Sequence, residues 1–140
     1  MAERFGDALR LPLPINDTPS ITLRQLAQSI MKTLLTPQIL ALHQMVLGES
    51  CRYPELGRLF LEHGPGRGHA HVGRWFGELM DHGLMRRADP VIAAKHFLAL
   101  CEVGCIQQAR LGLRKRFTPA ERDADVDRAL TVFQGGYALK

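Results

Sequence analysis

The 140-residue chain predicts an all-α fold, and three features of the sequence lead to this prediction. Apolar residues recur with the i, i+3, i+4 and i+7 spacing of helices that bury one side. A residue suited to the N-cap precedes proline at Thr36-Pro37, Asp89-Pro90 and Thr118-Pro119, which is a specific signal for the first turn of a helix. No stretch alternates apolar and polar residues as a half-buried strand would.

The same signals set the boundaries of each predicted helix. A short first segment, 2–11, ends at a linker in which Pro12, Pro14 and Pro19 exclude both a helix and a central strand. The next helix is expected to begin near Ser20 as its N-cap. The predicted helices after the first segment cover about residues 20–34, 37–51, 54–63, 65–82, 90–112 and 119–137.

The composition is that of an ordinary soluble globular protein, with 46% apolar and 23% charged residues. A net charge of +4 is too small an excess to indicate nucleic-acid binding. Three cysteines without a disulfide-framework spacing indicate a reducing compartment. The sequence has no signal peptide and no apolar run of roughly 18 residues, so neither secretion nor a membrane span is indicated. We therefore expect a soluble, cytoplasmic protein.

The segment 90–112 carries apolar residues on nearly all of its surface. One face holds Ala94, Phe97, Leu98, Cys101 and Cys105, and much of the other holds Ile92, Ala99, Val103 and Ile106. A helix that is apolar all round must be covered on both sides. In a domain of this size, one side can face the core and the other side can face a partner chain.

Two glycines, Gly73 and Gly77, lie four residues apart at the border of the apolar arc of the predicted helix 65–82. Glycine in a helix interior costs about 1 kcal/mol relative to alanine. The pair is explained either by the close approach of another backbone or a ligand, or by plain tolerance of glycine at these positions.

A metal site is not indicated. His69 and His71 are two residues apart, so on a helix they point about 200° apart and cannot bind one ion together. The H-x-x-x-H pair of helical zinc sites is missing. Cys101 and Cys105 have i, i+4 spacing, for which buried packing is the favoured explanation and a redox pair or soft-ion ligands are the alternative. We expect neither a metal nor another cofactor.

A catalytic site is not visible either, and we expect that the chain is not an enzyme. The G-x-S-x-G motif is missing, and the GPGRG stretch lacks the Lys-Ser/Thr pair of a phosphate-binding loop. The basic run 110–117 is best explained as a solvated helix end, where cations complement the exposed carbonyl groups. Contact with an anion or a nucleic acid is the alternative.

Methionine and aromatic side chains lie on the inward faces of several predicted helices. They are Met31, Met45, Trp75, Phe76, Met80 and Phe97. Such residues most often form plain core, but they also line apolar small-molecule pockets between the helices of a bundle. Together with Cys101, they are the candidates for the lining of a ligand pocket.

Three stretches in a fixed order resemble a known family. They are RYPELGRLF at 52–60, G-L-M-R-R-A-D-P-x-x-A-A-x-x-F at 83–97 and F-x-G-G-Y at 133–137. With the helices between them, they are similar to the C-terminal regulatory domain of TetR-family transcriptional regulators, in particular the AefR-like subgroup. The resemblance covers about residues 20–140.

This resemblance implies a TetR C-terminal-like bundle of about six helices. It further implies a homodimer, formed through the last two long helices, that binds a small, mostly apolar effector as part of a regulator, expected to be a repressor. The family's helix-turn-helix head would precede Met1, and residues 1–19 are too few to hold it. We therefore expect residues 1–19 to be a remnant of the connecting helix with a Pro-rich linker, residues 20–140 to be the ligand-binding and dimerisation domain, and no direct DNA binding by this chain alone.

Three functions are compatible with these features of the sequence. The leading one is an effector-sensing and dimerisation domain. Its expected dimer interface consists of Ile92, Ala99, Val103, Ile106, Val126, Leu130 and Phe133. The second is a stand-alone dimerisation module that pairs with full-length relatives and needs no ligand. The third is a small helical enzyme or metal protein that uses His63, His69, Cys101 or Cys105.

Overall fold

The computed structural model describes residues 13–140, which form seven α-helices and no β-strand. The helices are α1 (Pro19–Leu34), α2 (Pro37–Glu49), α3 (Pro54–His63), α4 (Pro65–Asp81), α5 (Pro90–Glu102), α6 (Cys105–Arg110) and α7 (Pro119–Tyr137). The all-α prediction is confirmed for this range, and the predicted segment 2–11 lies outside it. None of these helices is long and apolar enough to cross a membrane.

Proline opens every one of these helices except α6. It fits there because the first helical N–H has no partner inside the helix. Two of the predicted N-caps are made by side chains: Asp89 accepts from the N–H groups of Val91 and Ile92, and Thr118 forms a capping box with Glu121. The predicted N-cap at Ser20 is wrong by two residues, because the N-cap of α1 is Thr18. Pro19, which the sequence assigned to the linker, is the first residue of α1, where a missing N–H costs nothing.

The predicted continuous helix 90–112 is also wrong, because the chain breaks between α5 and α6. Gly104 lies in the break, and the carboxylate of Asp125 from α7 occupies the space that a Cβ at this position would need. Asp125 Oδ2 accepts a hydrogen bond of 2.6 Å from the backbone N–H of Cys105. A side chain from α7 therefore caps the start of α6, and only glycine leaves room for it.

The centre of the core is an aromatic cluster contributed by α4, α5 and α7. The ring of Phe76 lies 5.2 Å from that of Phe133 and 6.2 Å from that of Phe97, measured between centroids. The rings of Phe97 and Phe133 are 5.5 Å apart. Burial of each such side chain stabilises the fold by about 1.5–3 kcal/mol. The apolar side of α1 covers the cluster, and its residues Leu23, Leu26, Ala27, Ile30, Met31 and Leu34 are buried.

The close approach of α4 and α5 explains one of the two helical glycines. A Cβ on Gly73 would lie 3.2 Å from the Cα of Val91, so the two backbones nearly touch at this point. A Cβ on Gly77 would make only ordinary contact with the ring of Pro90, at 3.5 Å. Of the two alternatives that the sequence left open, backbone approach holds at Gly73.

Candidate functional site

An apolar cavity of about 340 Å³ lies between α2, α3 and the start of α4. It is lined by Ile39, Leu42, His43, Met45, Val46, Leu56, Leu59, Phe60, His63, Gly64 and Pro65. Its volume falls within the range of small-molecule sites in proteins. The cavity is partly open, and Met45 and Leu59 remain exposed to solvent at its edge.

The local sequence explains why this region is not filled. The chain turns sharply between α2 and α3 at Tyr53-Pro54 and again at Gly64-Pro65, so α3 is a short helix held by its two ends. None of its residues is fully buried, although its apolar residues lie on one side. The apolar side of α3 thus faces α2 without complete interdigitation, and space remains between the two helices.

The floor of the cavity holds a histidine that stays neutral. His43 is only 6% exposed, and its ring lies edge-on to that of Phe60 at a centroid distance of 4.9 Å. Burial, and secondarily the positive charge of Arg110, lower the pKa of His43 from 6.5 to about 4. Arg110 itself pairs with Glu102 at 3.1 Å. At neutral pH, the floor of the cavity therefore adds no positive charge.

The mouth of the cavity holds a second histidine, His63, in the last turn of α3. The guanidinium of Arg67 lies 3.2 Å from its Nδ1 atom. Arg67 stands in the first turns of α4, so this contact spans the Gly64-Pro65 joint between the two helices. Among the residues of 13–140 that line the cavity, only His63 and His43 carry side-chain nitrogens.

Of the residues expected to line a pocket, the structure places only Met45 at this cavity. The others are at most 4% exposed and belong to the packed core: Met31, Trp75, Phe76, Met80, Phe97 and Cys101. His43, Leu56, Leu59 and Phe60 were missed as pocket residues. A signal for them exists, since both short helices carry apolar residues on the sides that face each other.

A second uncovered apolar surface lies along α5 and α7, which we call the α5/α7 face. It contains a shallow groove of about 380 Å³, lined by His96, Ala99, Leu100, Val103, Val132, Phe133, Gly136 and Tyr137. Val103 and Val132 are 66% and 60% exposed, and Ile92 on α5 is also exposed. At the groove, the hydroxyl group of Tyr137 lies 2.5 Å from Nδ1 of His96.

The residues expected at a dimer interface divide between this face and the core. Ile92, Ala99 and Val103 are exposed. Ile106, Val126, Leu130 and Phe133 are at most 6% exposed within the single chain. Ile106 turns inward because α6 is a separate helix that packs against α2 and α7. Val132 was missed because the sequence assigned the opposite side of the last helix as the apolar one.

The two buried cysteines are weak nucleophiles in this environment. Burial is the main cause that raises the pKa of Cys101 and of Cys105 to about 12, and for Cys105 the nearby Asp125 adds to it. All three cysteines are free thiols. Within residues 13–140, no three His, Cys, Asp or Glu side chains are grouped so that they could hold a metal ion.

Several solved structures have a similar arrangement of helices, and two of them are described as TetR-family regulators. The chain is similar to a putative TetR-family regulator from Mesorhizobium loti MAFF303099, with a TM-score of 0.76, 24% identity, and coverage of 97% of this chain and 65% of that one. It is also similar to the "Flavonoid-responsive Regulator FrrA", with a TM-score of 0.80 and 25% identity, and the match covers 97% of this chain and 70% of that one. A third similar structure is a TetR-family regulator from Pseudomonas syringae pv. tomato str. DC3000. Its TM-score is 0.70 and its identity 23%, and the match covers 95% of this chain and 71% of that one. The chain thus spans about two thirds of the length of these regulators.

Residues 21–139 match the family model described as the AefR-like transcriptional repressor, C-terminal domain. The chain belongs to this family. The predicted resemblance is thereby confirmed. No curated protein matches the chain.

Proposed function

We propose that this chain is the effector-sensing and dimerisation domain of a cytoplasmic transcriptional repressor. The observation that carries the proposal is the presence of two separate uncovered apolar surfaces, the α2/α3 cavity and the α5/α7 face. Contiguous exposed apolar area on a small domain marks sites of interaction. The cavity has the size of a small-molecule site, and the face has the shape that a second helical surface can cover.

The α5/α7 face pairs with the same face of a second copy. A twofold dimer uses one surface twice, so that surface must be apolar and flat enough to meet itself. Ala99 and Gly136 keep the groove between the two helices shallow, while Val103 and Val132 stand out beside it. Of the other residues expected at the interface, Phe133 lines this groove, whereas Ile106, Val126 and Leu130 are buried within the single chain.

The cavity binds a small, mostly apolar effector. The name of FrrA describes a regulator that responds to flavonoids, which supports a small organic effector for this chain as well. When the effector occupies the cavity, it favours one arrangement of the dimer over another. The effector site and the DNA-binding heads are then coupled, and each ligand changes the affinity for the other.

The oligomeric state tests this proposal. We expect the purified chain to sediment as a dimer at micromolar concentration, and Ala99→Arg to sediment as a monomer because a charged side chain would be buried in the groove. Ala41→Arg is the matched control, since Ala41 is an exposed alanine on α2 and does not line the α5/α7 groove. A monomeric wild-type chain would contradict the proposal, as would a dimer that Ala99→Arg leaves intact.

A further inference from the structure

The α2/α3 cavity offers very few polar groups to a ligand, and this limits the chemistry that it can recognise. Apart from the sulfur of Met45 and the backbone, only His43 and His63 present polar atoms among the lining residues that the structure describes. His43 lies at the floor and His63 at the mouth. A ligand that fills this cavity is therefore mostly apolar, and its polar group meets an imidazole ring.

The tautomer of the neutral His63 ring follows from its neighbour Arg67. A guanidinium group carries only hydrogen-bond donors and stays charged at all ordinary pH values. Its nitrogen lies 3.2 Å from Nδ1 of His63, so Nδ1 must be the acceptor in this contact. An imidazole that accepts at Nδ1 and is neutral holds its proton on Nε2. His63 consequently offers an N–H donor from its other nitrogen.

The cavity disfavours a charged ligand. Its walls are aliphatic or aromatic apart from the two histidines, and the transfer of a charged group into such surroundings is costly without a paired charge. His43 does not supply that pair at neutral pH, since it is neutral there. The volume of about 340 Å³ is roughly twice that of an engineered protein cavity that binds benzene, so the ligand has about two rings.

We propose that the effector is an uncharged, two-ring compound with a hydrogen-bond acceptor such as a carbonyl oxygen, which accepts from Nε2–H of His63, while Arg67 holds His63 in the required tautomer. This inference rests on the proposed effector function and adds the chemical class of the ligand and the residue that recognises it. His63 is the binding residue, and Arg67 is a positioning residue that acts through it.

Two probes of similar size test whether the ligand needs a hydrogen-bond acceptor. Benzophenone and diphenylmethane differ only in the carbonyl group, and their affinities for the purified wild-type chain are measured by calorimetry at pH 8. We expect benzophenone to bind roughly 3- to 10-fold more tightly, the effect of one hydrogen bond. His63→Phe keeps an aromatic ring but lacks the donor, so the preference should vanish. His82→Phe, an exposed histidine outside the cavity, is the matched control and should keep the preference.

The tautomer provides a readout that a merely structural role of Arg67 would not change. The ¹⁵N shifts of the His63 ring in the wild-type chain should show the proton on Nε2. In Arg67→Met they should show a mixture of tautomers, and the preference for benzophenone should fall partway. A proton on Nδ1 in the wild-type chain would overturn the assignment.

The outcomes separate this inference from the function on which it rests. If neither probe binds, the effector function of the cavity fails, and the inference fails with it. If both probes bind equally well, the cavity is a ligand site but the assignment to His63 is wrong. Diphenylacetate provides the remaining comparison: tighter binding of this anion than of benzophenone would show that the mouth recognises a negative charge, which would also overturn the proposal.

Discussion

The aromatic core and the α2/α3 region are built from similar residues but are packed to very different degrees. In the core, Phe76, Phe97 and Phe133 are almost completely enclosed, and their rings contact one another. Between α2 and α3, Met45 and Leu59 are 48% and 42% exposed and border a cavity. The first region is close to the density of a protein interior, whereas the second is not.

The tightly packed aromatic core therefore stabilises the fold most, whereas the α2/α3 region leaves space for a ligand. Long helices such as α4 and α7 bury one side against at least two neighbouring helices. The short α3 buries none of its residues completely, because Pro54 and Pro65 limit its length and fix its ends. An apolar helix side thus forms core only when enough neighbouring surface covers it.

Truncation of a core ring should produce the largest effect on stability. Phe76→Ala is expected to lower the free energy of unfolding by about 3–5 kcal/mol, because it leaves a large cavity among packed rings. Leu59→Ala at the edge of the α2/α3 cavity should cost less than about 1 kcal/mol, because that side chain is already partly solvated. Urea unfolding monitored by circular dichroism measures both values.

If Phe76→Ala does not fold, the milder Phe76→Leu keeps the comparison measurable, with an expected cost of about 1 kcal/mol. Equal costs for the core and the cavity-edge variants would contradict the contrast between the two regions.

The cavity floor should make stability depend on pH through His43. The pKa of His43 falls from 6.5 to about 4 on folding. Between these two pH values, His43 is therefore protonated in the unfolded chain and neutral in the folded chain. This difference leaves the free energy of unfolding unchanged above pH 6.5 and lowers it as the pH falls towards 4. Between pH 7 and pH 5 the loss from this group should be about 2 kcal/mol.

Urea unfolding at these two pH values measures the loss. His43→Leu should remove most of it, whereas His82→Leu should leave it unchanged. A wild-type chain whose free energy of unfolding is the same at pH 7 and pH 5 would show that folding does not lower the pKa of His43.

The break between α5 and α6 connects the two regions, since α6 also contacts α2. Gln44 Nε2 donates to the backbone oxygen of Arg110 at 3.0 Å. Gly104→Ala should cost about 1–2 kcal/mol, because the new Cβ collides with the carboxylate of Asp125 that caps α6. Gly48→Ala should instead stabilise by about 0.5–1 kcal/mol, since Gly48 is an exposed helical glycine with free space around it.

Thermal unfolding of these two variants distinguishes the effects by their sign. A Gly104→Ala chain that is as stable as the wild type would mean that the Asp125 carboxylate can cap α6 even when residue 104 carries a Cβ.

The sequence allowed the helices to be predicted well but their packing only in part. Most helices begin at a proline, and the residues around Pro37 or Pro90 contain all the information for such a start. The break at Gly104 depends on Asp125, which is 20 residues beyond Cys105 and reaches it only in the folded state. Local periodicity cannot contain a contact of this kind.

The same limit applies to the candidate site. Met31 and Met45 both lie on apolar helix sides, and nothing in their local sequence separates them. Met31 is 2% exposed because long helices cover it, whereas Met45 lies over a gap that the short α3 leaves. On the α5/α7 face, Val132 was not predicted because the apolar periodicity of α7 points into the core.

The methionine methyl groups can test directly whether ligands enter the α2/α3 cavity and not the aromatic core. In a chain with ¹³C-methyl methionine, the methyl resonances are recorded while benzophenone is added. Met45 lines the cavity, and Met80 and Met85 are buried in the core. We expect the Met45 resonance to shift and saturate while those of Met80 and Met85 stay in place. Shifts of Met80 or Met85 with an unchanged Met45 would contradict the account.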